Sequence, residues 1–269
     1  MNRPTTVQSA FTLVELLVVI VIITLLASLL APAGRSALER AKLAGCMGNL
    51  RQLGGATGLY AADHKGWTPD WTPPPGGTEP YFHGGSAPVH SMGNYRNPYR
   101  LTGIGKLVDG YTDGAATVAY CPGSRYTSFT GQNRERWQAR EWQVVSSYNI
   151  RLNQVDPATL TPWTQPGQSG FGYFVGIRLS TWGRVVHIAD LVGGAAYGDE
   201  ARVLAHGDAP GRWNTLWTDG SVTTASGDQT DPEDPSRTVL GSIGWIGGPT
   251  GNSWGTGALV SGFRALENQ

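Results

Sequence analysis

From Phe11 to Ala31 the chain reads FTLVELLVVIVIITLLASLLA, and its only polar residues are Thr12, Glu15, Thr24 and Ser28. About 20 such residues in a helix span a hydrocarbon core of about 30 Å, so this segment meets membrane. Ala31-Pro32-Ala33 fits the small-x-small pattern that ends a secretory signal peptide, with a mature start at Gly34. Glu15 argues against that arrangement and against a plain anchor. A carboxylate inside an apolar span costs about 2.5–3.5 kcal/mol on insertion scales, and neither a disposable leader nor an ordinary anchor has a use for it. An intramembrane acid calls for a cationic partner.

The stretch AFTLVELLVVIVIITLLASLLAP resembles the N-terminal cleavage and methylation segment of type IV pilins and type II secretion pseudopilins. The resemblance implies a leader over residues 1–10, cleavage between Ala10 and Phe11 by a prepilin peptidase, and N-methylation at Phe11. It further implies that Glu15 pairs with the Phe11 ammonium of its own or a neighbouring subunit as helices pack into a filament. The physics agrees: a buried carboxylate is tolerated when a cation satisfies it, and methylation keeps the amine's charge. Two departures stand out. Ala10 occupies the place where the family usually has Gly, and the leader offers only Arg3 and the initiator amine while Arg35, Arg40 and Lys42 follow the span, so charge asymmetry says little about orientation. Pro32 fits the family, whose helices often carry a proline near this depth, where the missing N–H permits bending.

Beyond Pro32, Cys46, Leu50, Leu53, Thr57 and Tyr60 step by four and three, which predicts one buried helical face. Gly45, Gly48, Gly54, Gly55 and Gly58 each lower helix propensity by up to about 1 kcal/mol relative to Ala, so packing must hold this half together. Lys65, Gly66 and Pro69 mark its end. One long helix is expected over 11–65, with 11–33 in lipid or filament core. CMGNLRQLGGATGLYAADHKGWTP also resembles a branch of prepilin-like proteins with a Cys-x-x-Asn-Leu-Arg-Gln helix, a Tyr-x-x-Asp-x-x-Gly-x-x-Pro exit and a C-terminal His-spacer-Asp-Gly motif. Here these are Cys46, Asn49, Leu50, Arg51, Gln52, then Tyr60, Asp63, Gly66 and Pro69.

The remainder, 66–269, is expected to form a β-rich globular head. With 38 Gly, 17 Pro and only 15% charged residues, the chain has the profile of a loop-rich β domain rather than a helical bundle. Residues 66–88 read as an irregular crossing loop. Short β-rich runs follow at TVAYC from 117, VVSSYNI from 144, GYFVGIRL from 172, RVVHIADL from 184, NTLWTDGSVTTA from 214 and RTVLGSIGWIG from 237, with a short charged helix over 131–143. The fold class is therefore α+β, a long N-terminal helix packed on an antiparallel sheet. Cys46 lies beyond the membrane span, and Cys121 sits in AYCPG, a motif also common in the resembled branch. A disulfide between them in an oxidising compartment would contribute up to about 4 kcal/mol; two buried free thiols are the alternative.

His206, Asp208 and Asp219, with Asp190 upstream, are the residues from which a metal or hydrolytic site could be built. HGDAPGRWNTLWTDG resembles the family's C-terminal motif, with twelve residues rather than nine between His206 and Asp219-Gly220. Asp219-Gly220 between alternating runs is equally a hairpin turn, and His206 can simply bond at a sheet edge. No nucleophile elbow, zinc-protease helix or phosphate loop accompanies them, so an enzyme is not expected. Major pseudopilins of the resembled family bind Ca²⁺ through a C-terminal loop, which makes Asp228, Asp231, Glu233 and Asp234 weak candidate ligands for Ca²⁺, although a solvated loop accounts for them as well. The ten Trp could stack on sugars or peptides, or fill cores and subunit contacts. Zero net charge gives no field for nucleic acid, and no nucleic-acid partner is expected.

These readings converge on a non-enzymatic pseudopilin subunit, single-pass in the inner membrane with its head in the periplasm, later part of a periplasmic or cell-surface filament. Its expected partners are the prepilin peptidase, other pilin-like subunits and the inner membrane. A tethered or filament-tip domain that binds glycan or calcium is the alternative, and a secreted hydrolase using His206 and Asp219 is a third.

Overall fold

The computed structural model describes residues 12–70, 91–94, 100–124, 131–140, 144–150, 153–155, 173–190, 206 and 212–226. Ala10, Phe11, Asp208, the acidic run from Asp228 to Asp234 and the β-rich run from 237 lie outside the described residues. The fold is α+β. Helix α1 (Leu13–Asp63, 51 residues) opens it, and the chain divides into two compact units, Met1–Ala41 and Lys42–Gln269.

In the first unit the apolar residues Leu13, Val14, Leu16 to Ile23, Leu25, Leu26, Leu29 and Leu30 are all 46–81% exposed. The segment is long and apolar enough to cross a membrane. Its internal hydroxyls are satisfied within the helix, Thr24 Oγ1 donating to the Val21 carbonyl (2.8 Å) and Ser28 Oγ to that of Leu25 (2.7 Å), so they present no open hydrogen-bond demand to lipid.

In the second unit the expected stripe is the buried one: Cys46, Leu50, Leu53, Thr57 and Tyr60 are all inside, joined by Ala56 and Ala61. The helix ends as the Lys65-Gly66 signal predicts, two residues earlier than expected. Gly66 N–H reaches back to the Ala61 carbonyl (2.7 Å) while Lys65 takes a left-handed φ of 56°, a Schellman-type stop. After it come β1 (Ser91–Asn94), β2 (Arg100–Leu101), α2 (Ile104–Tyr111), α3 (Gln132–Ala139), β3 (Val144–Val145), β4 (Tyr148–Ile150), β5 (Asn153–Val155), β6 (Tyr173–Val175), α4 (Leu179–Trp182), β7 (Val186–Asp190), β8 (Arg212–Trp217) and β9 (Val222–Ser226). They make a three-stranded sheet β2-β1-β3, a four-stranded sheet β4-β7-β8-β9 and the pair β5-β6, every pairing antiparallel.

The four-stranded sheet is the platform that matters. All five residues of β7 are buried, as are Trp213 to Trp217 of β8, so this sheet is covered on both faces at its centre. Ile150, Ile188 and Leu216 share one core with Leu50, Leu53 and Tyr60 of α1. A Cβ at Gly54 would stand 2.9 Å from Leu216 Cδ1, so a glycine there is what lets the helix approach the sheet this closely.

One β-rich run is corrected. TVAYC does not form a strand; Ala116–Ala119 is a 3-10 turn. Its backbone finds partners other than a ladder: Ala119 carbonyl accepts Ser147 N–H (2.9 Å) and Tyr120 carbonyl accepts the Asn49 side-chain amide (2.9 Å). Val118 and Ala119 are buried by this turn, and Pro122, with no N–H to donate, follows at once. The residues have strand propensity, but tertiary partners override it.

Candidate functional site

Two places bring functional residues together. The first is the start of α1. Thr12 precedes the first helical residue and Glu15 sits three positions on, the spacing of a capping box. Glu15 Oε2 accepts the Thr12 backbone N–H and the Thr12 hydroxyl, both at 2.8 Å, while Thr12 Oγ1 accepts Glu15 N–H at 3.2 Å. The carboxylate that looked costly in an apolar run thus closes its own helix terminus, where the backbone's unpaired N–H groups favour negative charge. Thr12 is the capping partner that the membrane argument passes over; the Thr-x-x-Glu spacing before an apolar run was the signal for it. Both Thr12 donors converge on Oε2.

The second is a buried polar cluster between α1 and the four-stranded sheet. Asp190 closes β7 opposite Tyr148 at the start of β4. Asp190 has no exposure, Cys46 none, and Cys121 and His206 are 4% exposed. Cys46 and Cys121 are joined as a disulfide across 75 residues, with Cα atoms 5.0 Å apart. Around it, Cys46 Sγ lies 3.1 Å from Asp190 Oδ1 and 3.2 Å from the Tyr148 hydroxyl. Cys121 Sγ lies 3.3 Å from His206 Nε2, itself 3.4 Å from Asp190 Oδ2. Asn214 N–H donates to Asp190 Oδ2 at 2.6 Å. Burial pushes the Asp190 carboxyl up, against the opposing pull of the His206 contact and the Asn214 N–H. The Tyr148 phenol is held well above its usual range, first by burial and then by the Asp190 charge.

His206 and Asp219 do not share this site. His206 pairs with Arg212 at the beginning of β8, and Asp219 follows the end of that strand, about 17 Å away at about 3.4 Å per residue. Asp219-Gly220 makes the β8–β9 turn: Gly220 N–H bonds the Trp217 carbonyl (2.9 Å) and Gly220 takes φ 83°. The Asp219 carboxylate accepts Ser221 Oγ (2.6 Å), Ser221 N–H (2.9 Å) and Arg184 Nε (2.9 Å), which together hold its carboxyl below the usual range. A hydrolytic pair of His206 and Asp219 is not assembled. Of the described tryptophans, Trp137, Trp213 and Trp217 are buried, two of them beneath arginines: Arg140 over Trp137 (4.0 Å) and Arg184 over Trp217 (3.9 Å). These three serve the core, whereas Trp67 is 44% exposed.

A family model, the prokaryotic N-terminal methylation motif, matches residues 6–31, the stretch that contains Ala10, Phe11, Thr12 and Glu15. Helix α1 begins within that match, at Leu13, and continues beyond it, and it is long and apolar enough to cross a membrane. The chain fits a type IV pilin-like protein. No curated protein and no solved structure matches it. In a pilin-like protein the apolar helix is consistent with an inner-membrane anchor, and the motif with processing by a prepilin peptidase and assembly with other pilin subunits. The same motif suggests a structural rather than an enzymatic part.

Proposed function

We propose that this pilin-like protein is a pseudopilin subunit. Cleavage between Ala10 and Phe11 and methylation of Phe11 release it for assembly into a type IV pilus or type II secretion-like filament. Before assembly it sits single-pass in the inner membrane with residues 66–269 as a periplasmic head. The observation that carries the reading is the coincidence, within residues 6–31, of the methylation motif with a helix whose apolar side chains are exposed all round and which holds one acid, Glu15. Such a surface is stable only against lipid or other apolar helices. In the filament the Phe11 ammonium supplies the cation that an acid in that setting requires.

N-terminal mass spectrometry of the protein from its native host tests this directly. A mature chain that begins at N-methylated Phe11 is expected. A chain that begins at Gly34, or one that retains the leader in the assembled fraction, overturns it.

A further inference from the structure

Cys46, Cys121, Asp190 and His206 are brought to one point from four separate places: α1, the segment after the 3-10 turn, the end of β7 and the residue that bridges to β8. One ligand atom from each lies within 4.8 Å of the other three, and all four residues are buried. A disulfide needs neither an acid nor an imidazole beside it. A disulfide sulfur also has no proton to donate, so Asp190 Oδ1, 3.1 Å from Cys46 Sγ, gains nothing from that contact while the bond is closed. His206 Nε2 faces the same point, and its Nδ1 is buried with no partner among the described residues.

The geometry points to a transition-metal site, best suited to Zn²⁺, that these four side chains form in the dithiol state of the chain. Zinc–sulfur bonds of about 2.3 Å and zinc–nitrogen or zinc–oxygen bonds of about 2.0–2.2 Å, at tetrahedral angles, set ligand-to-ligand edges of about 3.3–3.8 Å. The Cys121 Sγ–His206 Nε2 and His206 Nε2–Asp190 Oδ2 separations are 3.3 and 3.4 Å, within a few tenths of an ångström of those edges, while Asp190 turns its other oxygen, Oδ1, to Cys46 Sγ at 3.1 Å. Two thiolates, an imidazole and a carboxylate are a donor set that favours a tetrahedral, borderline-soft dication. Two thiolates and a carboxylate against a dication leave a single negative charge, which the Tyr148 hydroxyl beside Cys46 Sγ and the Asn214 N–H on Asp190 Oδ2 are placed to spread.

Metal and disulfide are exclusive, because the bond consumes both thiolates. Passage from the disulfide to the metal form requires a dithiol reductant. It gives two electrons and two protons, the S–S bond breaks, two thiols form and the reductant leaves as its own disulfide. Each thiol then loses its proton to solvent as the metal binds. The disulfide ties α1 to the segment after the 3-10 turn; the metal would tie those two to β7 and β8 as well. This inference is independent of the pseudopilin reading, since none of its residues lies in the N-terminal segment.

The test uses the full-length chain in detergent, treated anaerobically with a dithiol until both cysteines titrate as thiols, freed of reductant and titrated with Co²⁺ and then Zn²⁺. The expected result is one Co²⁺ per chain, with thiolate-to-cobalt charge-transfer absorption and intense tetrahedral ligand-field bands, displaced by Zn²⁺. Disulfide-bonded protein should take up none at this site. Asp190→Asn and His206→Gln should each weaken binding at least about tenfold; disulfide formation in the same variants reports that the surrounding structure is intact. The inference fails if the reduced parent binds no stoichiometric cobalt, or binds it with the weak absorption of a six-coordinate ion. It fails equally if either variant, with its disulfide still able to form, binds as tightly as the parent. Should a variant not fold, the parent's own spectrum decides between four-coordinate thiolate ligation and its absence.

Discussion

Residues 13–30 and residues 46–61 belong to one helix and make opposite demands on their surroundings. Along the first stretch every large apolar side chain is at least 46% exposed; along the second, Cys46, Leu50, Leu53, Ala56, Thr57, Tyr60 and Ala61 are buried while Leu59 remains out. The first is apolar on all sides and has no stripe for a sheet to cover, so its partner has to surround it. The second has a face of period 3.6, so its partner has to be a surface, and the four-stranded sheet is that surface. Within the second stretch, closeness of approach decides stability at Gly54, where an added Cβ would stand 2.9 Å from Leu216 Cδ1, but not at Gly48, Gly55 or Gly58, where it would meet nothing within 4 Å.

The largest effect is expected from Glu15→Ala. In a cell that makes the filament, the variant should reach the membrane yet be absent from sheared filaments by immunoblot. Incorporation at the parental level would remove the reason for an acid in the first stretch. The head should not notice the change. All ten tryptophans lie at Trp67 or beyond, so tryptophan fluorescence during urea unfolding reports the second unit alone. Its midpoint should be unaltered in Glu15→Ala.

Next in size is truncation within the stripe. Leu53→Ala removes a side chain with no exposure from the core it shares with Leu216 and Ile188, and should cost about 2–5 kcal/mol by the same fluorescence assay. Leu26→Ala, 56% exposed, should leave the midpoint where it was. Equal losses from the two substitutions would break the distinction between the stretches.

A finer discrimination comes from the glycines. At Gly58 a Cβ meets nothing within 4 Å, so Gly58→Ala should stabilise the head by about 0.5–1 kcal/mol through backbone entropy. At Gly54 the same substitution places a methyl 2.9 Å from Leu216 Cδ1, and Leu216 is only 1% exposed and has little room to withdraw. Overpacking of about 1–3 kcal/mol should outweigh the propensity gain, so Gly54→Ala lowers the urea midpoint where Gly58→Ala raises it.

The contrast between the stretches was open to sequence reading because both of its signals are local. An apolar run and a four-and-three stripe need only the next few residues to be seen. The β8–β9 hairpin was legible for the same reason, through Asp219-Gly220 between alternating runs. TVAYC failed because its backbone partners, Asn49 and Ser147, come from elsewhere in the chain. The Cys46–Cys121 pair was an expectation of the sequence, but its meeting with Asp190 and His206 is the extreme case. Cys46 and Asp190 are 144 residues apart and Cys121 and His206 are 85, so no spacing motif joins them and only the docking of α1 on the sheet reveals that they meet. Thr12 differs again: its capping relation to Glu15 is three residues long and was present in the sequence, overshadowed by the membrane cost of the acid.

The smallest expected effect concerns acid, and it falls entirely within the second unit. Ser221 and Arg184 hold the Asp219 carboxyl below its usual value, so the folded state binds this proton less readily than the unfolded chain does. The contribution is therefore complete above the unfolded carboxyl value of about 3.9 and is lost as pH falls through the depressed folded value. Because Asp219 is largely exposed, the Arg184 part is weakened by water and salt, and the Ser221 hydrogen bonds should carry most of what remains. Urea midpoints measured from pH 6 down to pH 3 should fall slightly more steeply in the parent than in Asp219→Asn, with a difference that survives added salt. A difference that salt abolishes would assign the turn's acid sensitivity to Arg184, and identical slopes would mean that the Gly220 backbone geometry alone holds the hairpin.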